Sequence, residues 1–568
     1  MKILKRLQYI SPYERWMFAS VAIATLLRFI LIYFHWPSTE SDEGNMGLVA
    51  LHVAYQGDHP IFFYGSNYLG PLEGYAAAPL FHLFGTSLFA LRLPLVLFFT
   101  GFLLSMYYLV RLLYSEKFAL ATVILLGLGT SDVFFLQLRA SGEYPEIEMF
   151  AALICLLAAW LVLSSHRAGQ EPGRQKRWKR IVIYGLLGLI VGLAFWVDLL
   201  ILPFVAAAGL LLLLFCRREL LSWTGLSLLL GFVVGAFPLI YYNLTAPPSQ
   251  NSWFVLLSNQ HAGASDMVAR HLTWVNQLTG TMIVALPTAT GGGVQCPLSA
   301  IPPSGSPTPT TLPCVLFQGG WGFGYLILWF IALGLAVYAV RRYRRQVRSG
   351  LTESASEERQ EVIRQCGRLM LLASAGLTLL LYATSPTSAT GPDTTFRYLT
   401  CMLLAVPAIL WPAWQGLSTH KISLNWRSKG ALLLRGALLL LVTTTLVTGT
   451  VRTFMQIPTA QVVYQRQETL VQDLLHVGAT RVYADYWTCN ILTFLSREKI
   501  ICSALDEQLN PGYDRYMPYR FIVRAAPHPA YVFLPGTKQI EAIKKRVNLA
   551  SSHYRHYTFE GFVVYQVT

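Results

Sequence analysis

The sequence predicts a polytopic α-helical membrane protein with about eleven transmembrane helices, interfacial helices between them, and a small extracytoplasmic α/β domain at the C-terminal end. Three observations carry this prediction. Of 568 residues, 54% are hydrophobic and only 13% are charged, whereas a soluble domain carries about a quarter. Windows such as 181–197, 199–215, 321–340 and 430–451 are nearly free of charge, and roughly 20 such residues make one crossing. These windows are rich in Leu, Val, Ile and Ala and do not alternate as strands do, so helices are the form that satisfies their backbone in lipid.

In chain order, the predicted spans fall near 16–34, 89–110, 118–136, 147–164, 181–197, 199–215, 222–242, 321–340, 369–384, 397–414 and 430–451. The first follows Lys2, Lys5, Arg6 and Arg15, a basic start that a cleaved signal peptide shares. Its length, its Arg28 and the lack of a small-x-small cleavage site favour an uncleaved span. The two windows flanking Asp198 are open to a second reading as one bent helix, against which the loop charges on either side argue. Residues 1–451 thus read as a transmembrane domain. Within it, residues 35–88 form a first outer loop with two apolar stretches, 44–56 and 72–84, too short to span and suited to lying at the interface. Residues 243–320 form a large outer loop whose part 287–313, dense in Gly, Pro, Ser and Thr, is expected to be mobile.

After residue 452 the apolar runs shorten and charge rises. Val482–Trp487, Ile500–Cys502, Ala530–Leu534 and Phe562–Val567 read as strands, and 459–476 and 537–549 as helices, giving an α/β domain over 452–568. Disulfides Cys296–Cys314 and Cys489–Cys502 are possible in an oxidising compartment.

The net charge of +15 raises the question of nucleic acid, but its distribution argues against that. Alternate connections on the N-terminal side hold 25 Lys and Arg, while the opposite loops hold only Arg139, Arg270 and Arg397. Basic residues stay in the cytoplasm. The N-terminus is therefore expected inside a plasma membrane and the C-terminal domain outside, with chemistry-bearing residues on the outer face.

That face carries few ionisable groups. Ser41-Asp42-Glu43-Gly44 lies just past the first span. It is open to two readings: Ser41 or Asp42 caps the helix at 44–56 and the acids complement its dipole, or an acid serves as a general base toward a hydroxyl. Tyr64 begins a run through Gly70-Pro71-Leu72-Glu73-Gly74-Tyr75, in which Glu73 opens an otherwise apolar stretch, either capping it or lining a polar site. Arg139 and Glu143 share the next outer loop with Glu146 and Glu148 and read as an ion pair or as a site. Arg397 starts a span, where a cation opposes the helix dipole, which suggests an anionic partner such as a phosphate. No Cys or His pair has zinc spacing.

These features together resemble the GT-C superfamily of glycosyltransferases, in the branch of protein O-mannosyltransferases and lipid A aminoarabinose transferases. Asp42-Glu43 matches the acidic pair after the first span. Pro71-Leu72 through Tyr75, then Leu83-Phe84-Gly85, is similar to the end of the interfacial loop, and Ala90-Leu91-Arg92-Leu93-Pro94 to the motif that follows. Arg139 and Glu143 match a basic–acidic pair in the next loop. One departure is the absence of the lysine that many members carry before the prolines, where this chain has Gly70-Pro71. The motif-bearing resemblance covers about residues 15–150. It implies a polyprenyl-phosphate sugar donor, an acceptor hydroxyl on a lipid, glycan or protein, and inverting displacement. In that frame Asp42, Glu43 and Glu143 are the catalytic candidates, and Arg139 and Arg397 the donor-phosphate ligands. Glu73, Tyr64 and Tyr75 are the substrate contacts. No cofactor is certain; a divalent cation, if used, would involve Asp42, Glu73 and Glu143. The competing classes are a transporter or flippase, disfavoured because the acids sit at one membrane face rather than at mid-depth, and a receptor using the outer domain, which leaves the acidic loop without a purpose.

Overall fold

The computed structural model describes residues 11–165, 174–262, 273–293, 311–349, 355–418, 426–549 and 553–568. Among these, nine helices are long and apolar enough to cross a membrane, or up to 11 if each of two bent pairs is one span. They begin with Pro12–Tyr33, Leu88–Leu113 and Tyr144–Ser165, and the predicted windows all fall on them or on the bent pairs. Two windows that read as straight spans are broken. Glu116–Gly127 and Ser131–Leu138 meet at 87°, where the backbone of Gly129 leaves the helical ladder and exchanges hydrogen bonds with the Thr450 hydroxyl, 3.1 Å each way. Trp223–Gly235 and Phe237–Thr245 meet at 65°, just before Pro238, which lacks a donor for the preceding turn. The pair flanking Asp198 is two helices. The Asp198 carboxylate accepts from Leu200 N at 2.9 Å and caps the 3₁₀ turn Leu199–Ile201, so the first helix ends there. The span expected at 397–414 begins as a 3₁₀ helix, Phe396–Ala405, before turning α over Val406–Ser418.

Contacts group the chain into two compact units. The first comprises residues up to Leu27, Leu97–Gln137 and Tyr144–Thr453 and holds most of the spans. In it the segment read as the large outer loop contains helices Ser252–Ala262 and Trp274–Thr279 and a π-helical turn, Gly280–Ala285. Residues 294–310, most of the stretch expected to be mobile, lie outside the described residues, as does Cys296.

The second unit joins Arg28–Val96, Leu138–Glu143 and Phe454–Thr568. The two short helices expected in the first outer loop are present as Ser41–Tyr55 and Leu72–Phe84. The C-terminal segment is a five-stranded sheet of order β2-β1-β3-β5-β4, with β1 Arg481–Ala484, β2 Ile501–Ala504, β3 Ala530–Phe533, β4 Tyr554–Phe559 and β5 Phe562–Val567. β1 pairs in parallel with β2 and β3, while β5 is antiparallel to β3 and β4. β4 was not expected from the sequence. It folds back through Glu560 and Gly561, both at positive φ (46° and 83°), the backbone that a two-residue hairpin turn requires. The strand read through Trp487 ends at Ala484 instead. Asp485 accepts from the backbone N–H of Trp487 and Thr488 at 2.9 and 3.2 Å and starts a helix, Tyr486–Leu495. A disulfide, Cys489–Cys502, fastens that helix to β2.

Candidate functional site

The site is organised by the helix Ser41–Tyr55. Small residues on one of its faces let it approach the helix Tyr486–Leu495 closely. A Cβ on Gly44 would stand 2.7 Å from the Asn490 backbone, and one on Gly47 would stand 2.5 Å from the Phe494 ring. No side chain caps the N-terminus of the first helix. Ser41 instead donates to the Tyr486 carbonyl at 2.5 Å and accepts from the Asn490 amide at 2.9 Å. The capping reading of Ser41 and Asp42 is thereby replaced: the first turn is pinned to a neighbouring helix.

Asp42 and Glu43, adjacent in sequence, point to different environments about 100° apart on the helix. Glu43 is fully buried. Its Oε1 accepts from Arg92 Nε at 2.7 Å and its Oε2 from Arg92 Nη2 at 2.6 Å, a bidentate fork. The backbone N–H of Ala140 donates a third bond to Oε1 at 3.1 Å. Arg92, the arginine of the Ala-x-Arg-Leu-Pro motif, is equally buried. Both oxygens of Glu43 are thus occupied, and it ties the interfacial helix to the start of the next span and to the 138–143 loop.

Asp42 is part-exposed, its side chain 16% accessible. Its Oδ1 accepts from Arg515 Nε at 3.0 Å, from Arg515 Nη2 at 2.8 Å and from the Tyr486 hydroxyl at 2.5 Å. Among the described residues nothing donates to its Oδ2. The Tyr486 oxygen also accepts from Arg515 Nε at 2.5 Å, which closes a triangle. Arg515 stacks over the Phe63 ring at 4.8 Å and lies 5.8 and 5.7 Å from the rings of Tyr486 and Tyr513. Burial works against its charge, but Asp42 and the Tyr486 oxygen outweigh that and its pKa lies above the usual arginine value. Burial, with Asp42 beside it, raises the Tyr486 phenol, so it remains a proton donor.

The other sequence candidates have the following surroundings. Arg139 pairs with Glu40 and donates from Nε to Ser141 at 3.1 Å. Glu40 is thus an ion partner that the sequence did not suggest. Burial lowers the Arg139 pKa, with Glu40 and Glu43 acting in the other direction. Glu143 is buried and sits at φ 58°, an uncommon backbone for a non-glycine residue. Glu73 is buried in the first turn of the second interfacial helix, whose N-cap residue is Pro71 without a side-chain cap. Tyr64 exchanges a 2.8 Å hydrogen bond with His52 Nδ1, and its carbonyl accepts from Asn45 at 3.2 Å and from Arg515 at 3.4 Å. His52 Nε2 in turn meets Glu498 at 3.1 Å and the Tyr519 hydroxyl at 3.2 Å. Tyr75 donates to the Pro60 carbonyl at 3.0 Å and closes the loop between the interfacial helices. Arg397 belongs to the first unit. It opens the 3₁₀ helix, lies over the Tyr398 ring at 5.6 Å, and has Asp198 within electrostatic range. Among the described residues no three His, Cys, Asp or Glu side chains converge as a metal site, so Asp42, Glu73 and Glu143 do not form one.

The first unit also holds an apolar cavity of about 370 Å³. Leu126, Val133, Trp321, Tyr325, Leu410 and Leu446 are among its walls.

Sequence reasoning singled out Asp42 and Glu43 but passed over Arg515 and Tyr486, which lie 473 and 444 residues from Asp42. The signal for Tyr486 was its place directly after Asp485, a helix-capping residue.

No family model and no curated protein sequence matches the chain. Among solved structures, the apo form of ArnT from Cupriavidus metallidurans is similar over 98% of each chain at 13% identity, with a TM-score of 0.51. The same protein bound to undecaprenyl phosphate matches at 14% identity over 97% of this chain and 98% of that one, TM-score 0.48. The archaeal oligosaccharyltransferase AglB from Archaeoglobus fulgidus, in complex with an inhibitory peptide and a dolichol-phosphate, matches at 13% identity over 98% of this chain and 75% of that chain, TM-score 0.47. The likeness to apo ArnT, at 13% identity, shows the fold: this chain shares the architecture of that protein.

Proposed function

We propose, starting from that fold, that this chain is a membrane hexosyl- or pentosyltransferase. It moves a sugar from a polyprenyl-phosphate donor to an acceptor hydroxyl on the outer face of the membrane. The observation that carries the reading is Asp42: a part-exposed carboxylate at the start of an interfacial helix, with one oxygen held by Arg515 and Tyr486 and the other left to a substrate. In the proposed step, Asp42 Oδ2 takes the proton of the acceptor hydroxyl as its oxygen attacks the anomeric carbon. The bond from that carbon to the phosphate oxygen breaks, its electron pair leaves on the polyprenyl phosphate, and the anomeric configuration inverts. Arg139, in the same unit as Asp42, is the proposed counter-charge for the departing phosphate. Glu73 and Glu143 would orient the acceptor, which is a lipid, glycan or protein. Glu43, with both oxygens occupied, would act by holding the helix.

Two further observations support the reading. The apolar cavity suits a polyprenyl tail, since such a void excludes water and accepts hydrocarbon. The Cys489–Cys502 disulfide fits a C-terminal segment outside the cytoplasm, as the loop charges predict.

The test is release of free undecaprenyl phosphate from a panel of undecaprenyl-phosphate hexoses and pentoses, in membranes containing the full-length protein. Asp42→Asn is expected to reduce release by roughly 10²- to 10⁴-fold. Wild-type rates from Asp42→Asn would remove Asp42 as the base, and no release with any donor would overturn the function.

A further inference from the structure

We infer that Arg515 and Tyr486, contributed by the C-terminal α/β segment, are positioning residues that select which oxygen of Asp42 meets the substrate. The inference rests on the reading of Asp42 as the base.

The chain itself supplies the comparison. Two consecutive carboxylates are each bound by one arginine through the same two nitrogens, with opposite results. At Glu43, Arg92 gives Nε to one oxygen and Nη2 to the other, so both are used. At Asp42, Arg515 directs Nε and Nη2 to the same oxygen, Oδ1, and Tyr486 adds a third donor there. A carboxylate has about four lone-pair directions, two on each oxygen. Three donors saturate Oδ1, and the acceptor capacity that remains lies on Oδ2. The burial differs in the same sense: Glu43 and Arg92 are 0% exposed, whereas Asp42 and Arg515 are 16% and 17% exposed.

The clamp is itself held rigid. The guanidinium lies over Phe63, and the Tyr513 hydroxyl is tied to the Gly65 carbonyl at 2.6 Å. A Cβ on Gly65 would stand 2.5 Å from that hydroxyl, and the residue has φ +77°, so the loop there accepts little but glycine. Tyr486 is set at the first turn of its helix by Asp485, and the helix is pinned by Ser41 and by the disulfide. An aspartate side chain rotates freely about its last bond unless held. Fixing Oδ1 fixes the direction of Oδ2, which supplies the orientation that a single displacement needs.

The experiment measures kcat and donor KM of full-length Tyr486→Phe, Arg515→Lys and Arg515→Ala, using the undecaprenyl-phosphate sugar that the wild type consumes. Tyr486→Phe and Arg515→Ala are expected to lower kcat, the latter roughly 100-fold, with donor KM and thermal midpoint unchanged. Arg515→Lys, which keeps the charge but loses the fork, is expected to fall between Arg515→Ala and wild type. Added guanidinium ion is expected to restore part of the Arg515→Ala rate, a rescue that a purely structural role would not produce. Wild-type kcat in both Tyr486→Phe and Arg515→Ala overturns the inference, as does an Arg515→Ala loss confined to the thermal midpoint. Should Arg515→Ala fail to fold, Tyr486→Phe, which removes only a hydroxyl, decides. If Asp42→Asn is inactive while these variants are fully active, the inference alone fails; if Asp42→Asn is active, the underlying reading fails first.

Discussion

Replacing Arg92 by Met tests the central anchor of the second unit. Glu43 receives two guanidinium bonds, at 2.7 and 2.6 Å, and one backbone bond at 3.1 Å, with no exposure of either side chain. Arg92→Met leaves a buried carboxylate with one donor, and breaking a buried pair in this way costs about 3–5 kcal/mol. Glu43→Met strands the guanidinium and is expected to cost about the same. The double variant removes both charges and fills the space with apolar side chains of similar length, so its cost is expected to be far smaller than the sum. The two sites should therefore couple by about 3 kcal/mol or more. Denaturant titration of the purified protein in detergent, followed by circular dichroism for all four proteins, reads the cycle. An Arg92→Met cost below about 1 kcal/mol, or single costs that simply add, would refute the view that this pair anchors the interfacial helix.

Two other outcomes are expected. Replacing Cys489 and Cys502 together by Ser opens a 13-residue separation and should cost about 3 kcal/mol, seen as a lower unfolding midpoint that matches wild type under reductant; equal midpoints without reductant would contradict it. Burial pushes the Glu498 carboxyl up, but hydrogen bonds from His52, Tyr519 and Gln56 outweigh it and hold its pKa below the usual value. A lowered carboxylate pKa stabilises the fold above the unfolded value and loses that contribution as pH falls through the folded one. The stability gap between wild type and Glu498→Gln should therefore be full at about pH 6 and close toward about pH 3; a gap that widens on acidification would reverse the assignment.

Much of the fold is legible along the chain because lipid imposes one rule, a long uncharged helix per crossing. The short helices at 41–55 and 72–84 are visible for the same reason: they are apolar, too short to span, and bounded by Gly and Pro. The breaks at Gly129 and near Pro238 are not, since hydropathy averages over them and the Thr450 hydroxyl that stabilises the first lies 321 residues away. β4 is hidden by Arg555 and His556, exposed on a strand whose apolar pattern is weak. At the site, Asp42 and Glu43 are found by their position after the first span, but the sequence assigns both to one kind of role. Only the partners separate them: Arg92 for Glu43, Arg515 and Tyr486 for Asp42. Those partners lie where no local pattern connects them to residue 42.

The 473-residue separation between Asp42 and Arg515 also has a meaning in time. The Glu43–Arg92 pair, 49 residues apart, is available as soon as the second span has been made. Arg515 is translated much later, about half a minute to a minute and a half after Asp42 at ordinary synthesis rates. Until then the acid emerges at the membrane without its clamp, and a chain that stops before residue 515 keeps the carboxylate but never acquires the arginine. The aim of the carboxylate is thereby tied to synthesis: the ribosome must pass residue 515 before Asp42 has its clamp.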